Sequence, residues 1–174
     1  MAQISIRRST SNDLDAIMQI VDQAKALLKA DGSPQWQDGH PDRAMFAADI
    51  TKQDNWVLMV GNEIAGTATL QGGLEPSYEK IDGAWNQPAA PYMTIHRVAL
   101  SAAFRGQHLS NYFLSNLLTV GQLQGVKNFR IDTHPVNKRL QALATKFGFV
   151  KRGIIMVDDQ NDPRRLAFEL NLSD

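Results

Sequence analysis

The chain reads as a mixed α/β sheet domain, and two observations carry that expectation. Short apolar or alternating runs interchange with longer runs of helical period along the whole length. One strand-like run also leads straight into a helical run through the short turn Arg105-Gly106-Gln107-His108-Leu109-Ser110. A length of 174 residues fits one domain, spanning 1–174, with chain enough for a substantial core.

Each element follows from its own pattern. Ile4 and Ile6 alternate with polar neighbours and predict an opening strand. Thr10 and Asp13 have capping-box spacing for a helix that carries Leu14, Ile17, Met18, Val21, Ala24 and Leu28 on one face. Asp31-Gly32-Ser33-Pro34 breaks that helix. Residues 36–41 read as loop, and 43–51 as a second, shorter helix. Residues 56–60 and 64–70 form a predicted hairpin around Gly61-Asn62. Residues 72–91 show little periodicity, and long loops of this kind often line binding sites. Next come a strand over 92–100, a helix over 109–123 and a buried strand over 129–132. A helix over 136–147 stops at Gly148, and a strand pair at 150–157 and 165–170 closes the chain. There is no internal repeat, linker or low-complexity tract.

Composition narrows the function. Eighteen basic residues balance eighteen acidic ones, which gives no reason to expect general attraction to nucleic acid or to a membrane surface. With no cysteine, disulfides, thiolate metal sites and a cysteine nucleophile are excluded. His96, His108, His134 and Asp132 follow no metal-ligand spacing, so no metal is expected. The first residues lack the apolar core of a signal peptide, and no apolar run approaches a bilayer span. The expectation is a cytoplasmic protein.

The turn at 105–110 carries the chemistry. Between a strand end and a helix start, unpaired backbone N–H groups collect and the helix dipole adds partial positive charge. Arg105 adds a full charge, which makes a site suited to phosphate or pyrophosphate. The turn lacks the Gly-Lys-Ser/Thr ending of a P-loop and the three spaced glycines of a dinucleotide fold. An ordinary basic surface turn is the alternative.

Further along, Asn137 opens a short helix that ends in Phe147-Gly148-Phe149. Together the two motifs resemble the GNAT superfamily of acyl-CoA N-acyltransferases. The stretches Gln35-Trp36, Tyr78-Glu79-Lys80, Ile95-His96-Arg97-Val98, Arg130-Ile131-Asp132-Thr133-His134-Pro135 and Phe168-Glu169 look like one bacterial branch of that family. The resemblance covers nearly the whole chain. It implies a mixed, twisted central sheet with helices on both faces. It also implies acetyl-CoA as cofactor, lying between two splayed strands, here 92–100 and 129–132. Backbone groups near Val98 and Leu100 would pair with the pantetheine arm as an added strand does. Amides of Arg105, Gly106, Gln107, His108, Leu109 and Ser110 would hold the pyrophosphate, and Asn137 would help seat the arm.

Three departures from the family pattern stand out. His108 occupies the first glycine position of the loop and Ser110 its second small position. Ala144 stands where many relatives carry the tyrosine that protonates the thiolate. His96 stands where many relatives place a catalytic glutamate, and an imidazole suits the role of base. Glu79 and His134 are alternative bases, while Tyr78 and Tyr92 are candidate replacements for the missing acid. A backbone N–H near Val98 would stabilise the oxyanion. Trp36, Tyr78 and Trp85 fall in segments that shape the acceptor pocket in such folds, or else they anchor loops over the core.

The resemblance therefore implies an N-acetyltransferase acting on a primary amine of a small molecule or peptide by direct attack. A non-catalytic acyl-CoA-binding or sensor domain is the alternative, and a protein-interaction domain that has lost the cofactor is a third reading. A homodimer is an expectation from the resemblance only.

Overall fold

A computed structural model describes residues 2–173. Eight strands form one sheet: β1 (Ile4–Arg8), β2 (Asn55–Val60), β3 (Glu63–Gly72), β4 (Asp82–Gly83), β5 (Tyr92–Leu100), β6 (Asn128–Thr133), β7 (Val150–Met156) and β8 (Arg164–Asn171). Their order across the sheet is β1-β2-β3-β5-β6-β8-β7-β4. Every neighbouring pair is antiparallel except β5–β6, which is parallel. A parallel pair needs a crossover, and α3 (Leu109–Leu123) supplies it. The other helices are α1 (Leu14–Ala30), α2 (Arg43–Thr51) and α4 (Lys138–Lys146).

The helices cover both faces, as the resemblance implied. Ile17 and Val21 of α1 and Phe46 of α2 pack on Val57 and Met59 of β2. Leu58 points the other way and joins Phe113 and Leu117 of α3, with Ile95, Phe129 and Ile131 of the central strands. Each such fully buried side chain contributes roughly 1.5–3 kcal/mol. The helix at Thr10–Asp13 starts as anticipated, with the Asp13 carboxylate accepting the Thr10 N–H at 2.7 Å. The fourth helix begins later than its apolar pattern suggests. Asn137 caps it by accepting the Leu140 N–H at 3.3 Å, which leaves Val136 in the preceding turn.

A third cluster anchors the long segment between β3 and β5 over the α1/α2 side of the sheet. Tyr78, Trp85, Tyr92, Ile155 and Ala167 form it. Arg130 lies between the Trp85 ring, 4.0 Å from its centroid, and the Tyr92 ring, 3.8 Å away. Beneath it the buried Glu169 pairs with Arg130 at 3.4 Å and with Arg152 at 3.2 Å.

Helix α3 packs directly against β6 at Gly121. An ideal Cβ there would sit 2.3 Å from the Phe129 ring. Gly121→Val is therefore expected to cost about 2–3 kcal/mol through overpacking. Thermal denaturation should show Tm lowered by roughly 5–10 °C.

Candidate active site

The site begins where β5 and β6 part. They pair from Tyr92↔Asn128 to Thr94↔Arg130 and no further. Beyond that point β5 stays bonded to β3 as far as Leu100, and β6 stays bonded to β8 as far as Thr133. The two strands thus diverge, and their facing backbone edges have no sheet partner. A bulge in β5 accompanies the divergence, for Thr69 pairs with His96 while Thr67 pairs with Ala99. Within it Arg97 takes φ 51°. A non-glycine residue there is strained by about 1–2 kcal/mol. The Arg97 guanidinium is held in place by two hydrogen bonds to the buried Asp49 of α2, at 2.8 and 2.9 Å. Asp49 also accepts the Thr69 hydroxyl at 2.7 Å, so strand, bulge and helix are tied together.

A cavity of about 790 Å³ fills the opening. It runs from the turn at 104–110, past all of β5 from Ile95 to Leu100, to the segments at 35–41, 75–77 and 157–159. At the turn, Gly106 has φ 79° and His108 φ 55°. His108 thus adopts the left-handed conformation that a glycine would take, and its residue stays exposed at the start of α3. Arg105, Gly106, His108, Leu109, Ser110 and Asn137 border the cavity, whereas Gln107 does not. Across the mouth, Arg139 of α4 grips Asp31 at the end of α1 with bonds of 3.0 and 3.1 Å. The Asp31 carboxyl is lowered by Arg139 first and, more weakly, by the charge of Arg105.

At the other end lies His96, whose Nε2 approaches Glu75 Oε2 to 3.3 Å without good hydrogen-bond alignment. Beside His96 the Glu75 carboxyl is held down to about 2; burial opposes this and Ser77 adds to it. Trp36 borders the same space, with φ 65°. The remaining candidates fall elsewhere. Glu79 is exposed and outside the cavity lining. Tyr78 and Trp85 are buried as loop anchors, with the Trp85 indole donating to the Tyr78 carbonyl at 3.0 Å. The Tyr78 hydroxyl donates to Asp132 at 2.7 Å, and burial pushes its pKa well up, so it is a poor proton donor to a thiolate. Tyr92 is buried and outside the cavity lining, and its hydroxyl accepts the Glu75 N–H at 2.8 Å. His134 is spent on structure, its Nδ1 accepting the Val136 N–H at 3.1 Å and its Nε2 lying 3.0 Å from Asp162.

Splayed strands, a strand-to-helix turn with free backbone amides and one continuous cavity thus adjoin at this end of the sheet. The family model of the GNAT acetyltransferases matches residues 21–149. The chain belongs to the GNAT acetyltransferase family. GNAT enzymes use acetyl-CoA. No curated protein matches the chain. Among solved structures, a GNAT acetyltransferase from Streptococcus agalactiae is 32% identical over 100% of this chain and 99% of its own, with TM-score 0.90. One from Listeria monocytogenes is 19% identical over 99% and 98%, with TM-score 0.75. The ribosomal-protein-S18-alanine N-acetyltransferase of Escherichia coli is 17% identical over 99% and 96%, with TM-score 0.67. These last two share the fold.

Membership in the GNAT family weighs against the sensor and interaction-domain readings. Ala144, at the family's usual tyrosine position, is fully buried in the core beside α3. No hydroxyl on α4 takes that tyrosine's place at this position. Residues that the sequence reading passed over are Glu75, Asp49 and the Asp31–Arg139 pair, along with Asp132 as a site residue. Strand alternation was a usable signal for Asp132. Phe129 and Ile131 face the core, so Arg130 and Asp132 share the other side. Glu75 had no local signal, because it sits in an aperiodic loop. Among the described residues no helix is long and apolar enough to cross a membrane.

Proposed function

We propose that this protein transfers the acetyl group of acetyl-CoA to a primary amine by direct attack. The observation that carries the reading is the divergence of β5 and β6 beyond Thr94 and Arg130, opening on a cavity that reaches from the 105–110 turn to His96. The unpartnered backbone edge at Val98 and Leu100 fits a pantetheine arm. The turn from Arg105 to Ser110 fits a pyrophosphate at the N-terminus of α3, with Asn137 on the facing side. When bound, acetyl-CoA supplies an activated thioester. His96 takes one proton from the acceptor ammonium, with Glu75 orienting the imidazole. The neutral nitrogen then forms the C–N bond as the C–S bond breaks. A backbone N–H near Val98 stabilises the charge that develops on the carbonyl oxygen. The nitrogen gives up its second proton, the thiolate gains one from solvent, and the amide and CoA thiol leave. Solvent takes this part because no tyrosine stands at 144 and Tyr78 donates to Asp132.

Calorimetric titration with acetyl-CoA, in the absence of any acceptor, tests the reading. Micromolar binding supports it, and no binding at millimolar ligand refutes it. Arg105→Glu places a negative charge beside the pyrophosphate and should weaken binding at least about tenfold, the scale of losing one charge-assisted hydrogen bond. Unchanged affinity in that variant would remove the phosphate role from the turn.

A further inference from the structure

We infer that Asp132 holds the ammonium of the acceptor, and that the acceptor is a diamine-like molecule bearing a second cationic group and no carboxylate. The inference rests on the acyl-transfer reading above and names the substrate class for that site.

Register places Asp132. Thr94 and Arg130 are the last paired positions of β5 and β6, and two residues further on stand His96 and Asp132. Side chains alternate along a strand, so both lie on the α1/α2 side, facing each other across the divergence. Asp132 is half-buried and borders the cavity. The Tyr78 hydroxyl, fixed as a donor by its burial, binds Oδ2 at 2.7 Å. Among the described residues no arginine or lysine pairs with Asp132, and Oδ1 has no hydrogen-bond partner. A carboxylate drawn partly out of water with one neutral donor is under-compensated. An ammonium supplies both the charge and the missing hydrogen bond.

Charge fixes the rest of the acceptor. The two cations at this end, Arg97 and Arg165, are each closed on a buried carboxylate, Asp49 at 2.8 Å and Asp159 at 2.5 Å. Glu75, Asp132 and Asp158 border the same cavity with no arginine or lysine partner among the described residues. A cavity with that balance concentrates cations and repels carboxylates. A free amino acid would bring its carboxylate up against Glu75 and Asp132. A diamine instead leaves a second ammonium for the remaining negative charge.

Two probes that differ by one carboxylate, 1,4-diaminobutane and ornithine, test this with acetyl-CoA as donor. The wild type should favour the diamine by at least about tenfold in kcat/KM, as expected for one avoided charge conflict. Asp132→Asn keeps an acceptor for the Tyr78 hydroxyl, so the fold should persist, which Tm will verify. That variant should raise KM for 1,4-diaminobutane about tenfold or more, leave kcat within a few-fold and shrink the preference over ornithine. Acetyl-CoA affinity should not change. Tyr78→Phe should raise KM less, because the carboxylate remains. Unchanged KM and preference in Asp132→Asn would overturn the role of Asp132. Preference for ornithine, or acetylation of neither probe, would overturn the substrate class. Failure of the wild type to bind acetyl-CoA would instead strike the acyl-transfer reading itself.

Discussion

Replacing His96 with alanine is expected to lower kcat by about 10²-fold or more while leaving acetyl-CoA affinity unchanged, the usual scale for removing a general base. The separation follows from where the parts lie. His96 lies at the end of the cavity proposed for the acceptor, whereas the turn proposed to hold the pyrophosphate lies at the start of α3. The pH profile gives the sharper result. Wild-type kcat/KM should rise with pH and then level off, the profile of a reaction that needs a group in its basic form. Glu75, held down to about 2, stays ionised throughout and adds no limb of its own. In His96→Ala the rising limb should disappear. A profile that keeps its shape in the variant would assign the base elsewhere. The variant also removes the main cause of the low Glu75 pKa. A lowered carboxyl pKa stabilises the fold above the usual value of 4.5, and that contribution disappears as pH falls toward 2. Acid denaturation of His96→Ala should therefore begin at higher pH than in the wild type.

Glu169→Ala should be the most damaging change to stability, at about 3–5 kcal/mol, the range for breaking a buried ion pair from one side. Glu169 is fully buried, and the Arg130 beside it is 3% exposed. Alanine would leave Arg130 charged between two rings with no carboxylate. It would also free the Asn86 N–H, which donates to Glu169 at 2.7 Å and pins the loop that carries Glu75 and Tyr78. The acceptor KM should therefore rise along with the loss of Tm, while acetyl-CoA affinity changes little. The double variant Arg130→Met/Glu169→Leu separates charge from packing. An apolar pair of similar volume commonly restores stability, so it should recover much of the lost Tm. Arg152, the third member, is 23% exposed and can turn to solvent. If the double variant proves no more stable than Glu169→Ala, the buried charge is not the cause.

The same two regions mark the boundary between what was legible in the chain and what was not. Regular elements were readable because they rest on local rules. The helices at 43–51 and 109–123 and the strand at 92–100 have the bounds that periodicity anticipates. The position of the 105–110 turn was readable too, since a strand end, a basic residue and a helix start adjoin in sequence. The place of His96 on β5 was legible from its strand, but its neighbour Glu75 was hidden, because a loop with no period gives no direction to its side chains. Tyr78 and Trp85 show the same limit from the opposite side. As aromatics in a long loop they suit a pocket or a core equally well, and only packing against Ile155 and Ala167 decides for the core. The divergence of β5 from β6 is tertiary as well. It depends on which strands keep their neighbours after Thr94 and Arg130, and on Asp49 holding Arg97 in the bulge from 48 residues away. Local hydrogen bonds and apolar period set the elements. Non-local pairing and buried charge, which leave little local trace in the sequence, set the site.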